Sequence, residues 1–217
     1  MRLLPKSPRI ALFGTSADPP HLGHQSILLW LSSHFDQVVV WAADNPYKEE
    51  QSPLGNRAHM LRLLADTLST LESRNNISVN QQLSDRHSIN SIIRARRLWP
   101  EAKFSFVVGS DLLDQLPKWY RAKEIFNQVN LLVFPRPGYP IEESSLIKLQ
   151  QLASVDIAHP PAQYDVSSSA YRQTRCDHAR QTAHFFDDLP AVIRDYITEH
   201  DLYPCLQQTT PAKTSSR

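Results

Sequence analysis

Residues 9–33 read RIALFGTSADPPHLGHQSILLWLSS, and their order decides the fold. Arg9 to Phe13 is a short apolar run of strand length. Gly14 to Pro20 is rich in turn formers, and Gly23 to Ser33 is a helix-length segment opened by the sequence His21-Leu22-Gly23-His24. At i and i+3 the two imidazoles share one face of a first helical turn. That turn already offers free N–H groups and a positive dipole end to an anion. Two histidines added there mark a place for phosphate groups under attack; the plainer reading is a tight turn with two solvated histidines.

The same alternation continues down the chain. Strands are expected at Gln37–Ala42, Asn76–Asn80, Phe104–Val108, Asn130–Phe134 and Val155–Ala158. Helices are expected at Leu54–Thr70, Ser88–Trp99, Ile141–Ala153, Ser168–His178 and Pro190–His200, with short ones at Asp111–Leu116 and Arg121–Gln128. Such alternation predicts an α/β fold: a Rossmann-like, doubly wound, mostly parallel sheet with helices on both faces. Ligands then bind beyond the carboxyl ends of the strands, so the loops after Phe13, Ala42, Val108 and Phe134 lie on the ligand edge.

Composition narrows the class. The 217 residues suit one domain, 1–204, and 205–217 loses apolar content and reads as a disordered tail. With 23 basic and 22 acidic residues the net charge is +1, which supports no global field for nucleic acid and leaves local patches open, so no nucleic-acid partner is expected. Cys176 and Cys205 fit no metal or redox spacing. No apolar run reaches the roughly 18 residues of a membrane span, and Met1–Pro8 has no signal-peptide core. A cytoplasmic location, with no membrane partner, is the expectation. A homo-oligomer stays open.

Four further stretches carry chemistry. Tyr164-Asp165-Val166-Ser167-Ser168-Ser169-Ala170-Tyr171-Arg172 puts three serines before a helix and an arginine one turn in, which is a second anion site or simply a cap. Gly109-Ser110-Asp111 with Pro117-Lys118-Trp119-Tyr120 supplies a carboxylate and an indole face, although Asp111 could merely cap and Trp119 merely fill the core. His87-Ser88-Ile89-Asn90 opens a helix, with Ser88 as the expected cap. Lys48 and Arg136 are single cations in edge loops, and such cations are usually just solvated. Arg57 and Arg62 are expected on a helix surface.

Together these motifs resemble the nucleotidylyltransferase superfamily, whose signature is (H/T)xGH, and in particular the nicotinate-nucleotide adenylyltransferases of NAD synthesis. Their GxFDPxHxGH loop, ISSTxIR helix start, GADxLxxLPxWxRxxEL segment, PxxK lysine and RPGY arginine are matched in order from about Ile10 to Tyr203. The chain departs at Thr15, where a glycine is usual and a tightened loop is expected. It departs also at Ser16, Ala17, Asn90, Ser169 and Tyr171.

The resemblance implies adenylyl transfer from ATP to nicotinate mononucleotide, with Mg²⁺ accompanying ATP, giving deamido-NAD and pyrophosphate. It implies that His21, His24 and Arg172 act on the phosphates. Gly14, Thr15, Ser16, Gly23, Lys48, Ser168, Ser169 and Arg172 would bind ATP. His87, Ser88, Asp111, Trp119 and Arg136 would bind the mononucleotide, and no residue is assigned to a metal. Nicotinamide mononucleotide or phosphopantetheine as acceptor, and a catalytically silent nucleotide-binding regulator, are the alternatives. A class I aminoacyl-tRNA synthetase shares HxGH, but no KMSKS-like run is present.

Overall fold

A computed structural model describes residues 7–44, 51–71, 75–161, 164–175 and 188–204. Lys48, Cys176, Cys205 and the segment 205–217 lie outside the described residues. The elements, in chain order, are β1 (Arg9–Thr15), α1 (Leu22–His34), β2 (Gln37–Ala42), α2 (Leu54–Leu71), β3 (Ile77–Val79), α3 (Ser88–Leu98), β4 (Lys103–Gly109), α4 (Ala122–Gln128), β5 (Asn130–Phe134), α5 (Glu143–Gln150), β6 (Val155–Ile157), α6 (Ser168–Arg175) and α7 (Ala191–Glu199).

The six strands form one sheet in the order β3-β2-β1-β4-β5-β6, with every pairing parallel. The chain winds outward from β1 to β3, then returns to the other side of β1 with β4. The β1–β4 boundary is therefore the switch point, where the loops leaving the two strands part and open a crevice.

Each strand has a period of two, and both of its faces are covered. On one face Ala11, Phe13, Val38, Val40, Leu132 and Phe134 pack with Leu28 and Leu31 of α1, with Met60, Leu61, Leu64 and Leu68 of α2, and with Ile193 and Ile197 of α7. On the other face Ile10, Leu12, Val39, Phe104, Phe106, Leu131 and Val133 pack with Ile89 and Ile92 of α3, Ile125 and Phe126 of α4 and Leu149 of α5. Each such buried side chain contributes about 1.5–3 kcal/mol of transfer free energy. This is why the central strands read as unbroken apolar runs and not as alternating ones.

The structure differs from expectation in three places that matter for the site. First, β1 runs on to Thr15, which pairs in register with Ala42 and whose carbonyl accepts from the Ala43 N–H at 2.7 Å. Thr15 is thus an extended strand residue, the conformation β-branched residues favour, and not part of a tightened loop. Second, Asp111–Leu116 forms no α-helix. It divides into 3₁₀ turns at Ser110–Leu112 and Leu116–Lys118, the second with Pro117 in its first turn, where a missing N–H costs nothing. Third, α5 is shorter than Ile141–Ala153. No helix among the described residues is long and apolar enough to cross a membrane.

Candidate active site

The loop leaving β1 turns inward. Ala17 takes φ 46°, a left-handed conformation that is uncommon for a residue with a Cβ, and it is fully buried. The turn aims Asp18 into the protein, ahead of a cis bond to Pro19. One oxygen of the fully buried Asp18 carboxyl accepts from the Ser52 N–H at 3.1 Å, and the other accepts from the Tyr203 hydroxyl at 2.7 Å. Arg172 of α6 donates to the Asp18 carbonyl at 2.6 Å and lies 3.6 Å from its carboxylate. Burial, with Asp18 adding to it, keeps the Tyr203 phenol protonated far above its ordinary range, so the phenol stays a donor. Ser168 donates to the Pro19 carbonyl at 2.9 Å. The helix start of α6 is therefore bolted onto the loop that presents the histidines.

Arg57 corrects the expectation of a surface arginine. It is 3% exposed, and its guanidinium donates to the carbonyls of Ser52, Ser16 and Ala43. It fills the underside of the β1 loop with donors, as an arginine fork can. Burial lowers its pKa against the opposing pull of Asp18 and Asp44.

His21 is the N-cap of α1, and His24 stands three residues on, with ring centroids 4.0 Å apart. His21 Nδ1 accepts from the Gly23 N–H, and His24 Nδ1 accepts from the His21 N–H, each at 3.2 Å. This is a capping box built from two imidazoles. With Nδ1 occupied as an acceptor, the neutral His21 ring carries its proton on Nε2. Burial, and then the nearby Arg136 charge, hold the His21 pKa down to about 4, so the ring is neutral near pH 7. Gly23 is required: a Cβ there would stand 2.9 Å from the His21 ring. Gly14 is likewise required, because the Trp41 ring lies against it and would meet a Cβ at 2.7 Å. His24 Nε2 lies 2.9 Å from Thr15 Oγ1.

At α6 the three serines divide their work. Ser167 Oγ accepts from the Ala170 N–H and caps the helix, Ser168 reaches Pro19, and the exposed Ser169 faces the cleft. Across the switch point, Ser110 donates to the Tyr139 carbonyl at 2.7 Å and accepts from the Arg136 N–H at 3.0 Å, pinning the turn after β5 to the end of β4. Arg136 pairs with Asp111 at 2.9 Å. Gly109 leaves space for that Asp111 carboxylate, which a Cβ would strike at 2.3 Å.

Ser88 is not the cap of α3. The capping position is His87, which makes no side-chain cap bond, and Asp85 organises the turn instead. Its carboxylate accepts from the His87 N–H at 3.0 Å and the Asn90 amide at 2.9 Å, and pairs with Arg94 at 2.7 Å. Burial opposes the Asp85 charge, but these donors outweigh it and hold the pKa below the ordinary carboxylate value. The His87 ring meets Tyr120 at 4.5 Å, and Trp119 stands edge-on to Phe106 at 6.3 Å.

One cleft of about 680 Å³ runs over this edge of the sheet. It is lined by every site residue expected from the sequence except Lys48, which lies outside the described residues. His21, Gly23, His24, Thr15, Ser16, Ser168, Ser169 and Arg172 form one wall. His87, Ser88, Asp111, Trp119 and Arg136 form the other. Asp85 and Tyr120 also line it and were not anticipated, while Asp18, Arg57, Ser110 and Tyr203 support it from behind. The sequence signal for Asp18 is its match to the aspartate of the GxFDPxHxGH loop, which by itself names none of its partners.

Residues 12–174 match the family described as cytidylyltransferase-like. A Synechocystis protein described as a probable nicotinate-nucleotide adenylyltransferase is 42% identical over 211 residues, covering 90% of this chain and 98% of that one. The chain belongs to the nicotinate-nucleotide adenylyltransferase family. A Thermus thermophilus relative of the same description is 29% identical over 90% of this chain and 99% of its own. Among solved structures, the Plasmodium falciparum nicotinic acid mononucleotide adenylyltransferase complexed with NaAD superposes with a TM-score of 0.78 at 19% identity, covering 92% of this chain and 98% of that one. That likeness shows that the family's fold is kept here.

The buried His21 gives the family loop a measurable signature. An unfolded His21 titrates near 6.5 and the folded one near 4, so between those values the unfolded chain binds more protons. Its contribution to stability is complete above pH 6.5 and is lost as pH falls towards 4, by roughly 3 kcal/mol. Urea titrations between pH 7 and pH 4 should show this slope, and His21→Asn, which keeps a capping side chain, should flatten it. Equal slopes for the two proteins would show that His21 is not the group being titrated.

Proposed function

We propose that the chain transfers the adenylyl group of ATP to nicotinate mononucleotide, releasing pyrophosphate and forming deamido-NAD. The observation that carries this is the convergence, in one cleft at the switch point, of two anion-binding helix starts on one wall and an aromatic pocket on the other. Family membership gives the reaction its class.

The chemistry asks little of a side-chain nucleophile. The 5′-phosphate of the mononucleotide is already an anion and attacks the α-phosphorus of ATP in line, displacing pyrophosphate. Bringing two anions together and absorbing charge on the leaving group are the demanding parts. We assign the first to the cleft's shape and to Arg136, whose charge Asp111 partly balances. We assign the second to His24, to the neutral Nε2–H of His21, to Lys48, and to the α6 start with Ser168, Ser169 and Arg172. The Trp119 indole offers a face to the pyridine ring, with Tyr120 and His87 closing the pocket. We assign the ring's carboxylate to the Ser88 N–H at the start of α3, because the His87 N–H is taken by Asp85.

Among the described residues no three His, Cys, Asp or Glu side chains gather into a metal cage. Mg²⁺ would arrive with the ATP phosphates, largely hydrated, and would there neutralise charge on the leaving pyrophosphate.

Pyrophosphate release with ATP and each of nicotinate mononucleotide, nicotinamide mononucleotide and phosphopantetheine tests the reading. Nicotinate mononucleotide should give the highest kcat/KM; equal rates with the amide would remove the acid preference, and no release with any acceptor would remove adenylyl transfer. His24→Ala should lower kcat by about 10²–10³-fold, the usual range for one preorganised donor, with the thermal midpoint lowered by only a few degrees for the lost cap. Trp119→Ala should raise KM for the mononucleotide about tenfold and leave KM for ATP alone, and an unmoved mononucleotide KM would remove the stacking role.

A further inference from the structure

One side chain that departs from the family pattern in the histidine loop also touches the histidine. Thr15 stands where the resembling sequences carry glycine, and a glycine has nothing to offer a ring. Here Oγ1 is 2.9 Å from His24 Nε2, at the end of β1, where register with Ala42 holds the backbone. The other ring nitrogen is already committed, because His24 Nδ1 accepts from the His21 N–H. A proton on Nδ1 would face that N–H, donor against donor. The neutral ring must therefore carry its proton on Nε2, and the group it meets there is the Thr15 hydroxyl.

We infer that Thr15 is a positioning residue for His24. Its hydroxyl accepts from Nε2–H and, together with the His21 amide, fixes both the tautomer and the plane of the ring. Two hydrogen bonds on opposite ring nitrogens leave the imidazole no rotation about its last torsion, so the donor reaches the cleft already aimed. Thr15 itself lines the cleft, so a phosphate oxygen arriving there shares the Nε2 proton with Oγ1 and needs no turn of the ring. The inference rests on adenylyl transfer as the reaction in which His24 serves.

Three variants and one spectrum test it. Thr15→Val keeps the β-branched shape that suits the strand and removes the hydroxyl; Thr15→Ser keeps the hydroxyl; Thr15→Gly restores the family's usual residue. With ATP and nicotinate mononucleotide, Thr15→Val should lose about tenfold in kcat, the order of one neutral hydrogen bond, with both KM values within about twofold of the parent. Thr15→Ser should recover most of that loss, and Thr15→Gly should not. Two-bond ¹H–¹⁵N correlation spectra of histidine-labelled protein, with His24 assigned by its loss in His24→Asn, should show the Nε2–H pattern in the parent and in Thr15→Ser. Thr15→Val should show a mixture of tautomers. An Nδ1–H pattern in the parent overturns the inference, as does parent-like kcat in Thr15→Val or equal impairment in Thr15→Ser and Thr15→Val. If Thr15→Val does not fold, the parent spectrum alone decides. A parent chain that releases no pyrophosphate overturns the adenylyl-transfer reading, and the spectrum still decides the Thr15–His24 bond.

Discussion

Asp18 gathers four separate parts of the chain around one buried carboxyl group. The β1 loop supplies it, the Ser52 N–H and the Tyr203 hydroxyl donate to it, and Arg172 of α6 lies beside it while bonding its carbonyl. Removing the carboxyl would leave a half-buried N–H and a half-buried hydroxyl without that acceptor and would take the counter-charge from Arg172, which keeps its bond to the Asp18 carbonyl. Each such orphan costs about 1–3 kcal/mol or more. The histidine loop consists mostly of small and cyclic residues, of which Ala17 joins the apolar cluster, while its buried Asp18 and His21 are polar. Its shape is therefore set by polar partners: Asp18 on one side and the three-carbonyl grip of Arg57 on the other.

The sheet was legible because its signals are local. Runs such as QVVVWA and NLLVF, each bounded by turn formers, can only be buried parallel strands in a chain that alternates with helices. The histidine pair, the α6 serines and Trp119 were legible as well, since each motif lies within a few residues and each falls in a loop on the ligand edge. The hub was not. Ser52 and Tyr203 are 34 and 185 residues from Asp18, so the motif that contains the aspartate says nothing of what it binds. Arg57 reads as a surface residue for a related reason: an arginine in a first helical turn is normally solvated, and only the fold shows three carbonyls converging on it.

Capping shows how one local rule can be outbid by another. Ser88 at a helix start is a good cap by type, but Asp85 sits three residues earlier with a charge and reaches the same turn. Two extra partners, Asn90 and Arg94, make its arrangement the stronger one. The family's aspartate within the helix is here an asparagine, and it donates to this outside carboxylate. Thr15 illustrates the reverse case, a departure that looked disruptive in sequence and proves natural once its place in the strand is known.

The bond from Ser168 to the Pro19 carbonyl has a thermodynamic consequence. Together with Arg172 it joins α6 to the histidine loop, although 149 residues separate the bonded pair. In a cleft whose two jaws were tethered independently, a triphosphate would have to order both on arrival, and that lost freedom would be subtracted from its affinity. Here the ordering is completed when the chain folds. Nucleotide affinity in this cleft is thus linked to the same interactions that determine global stability, and a change that weakens one will be felt in the other.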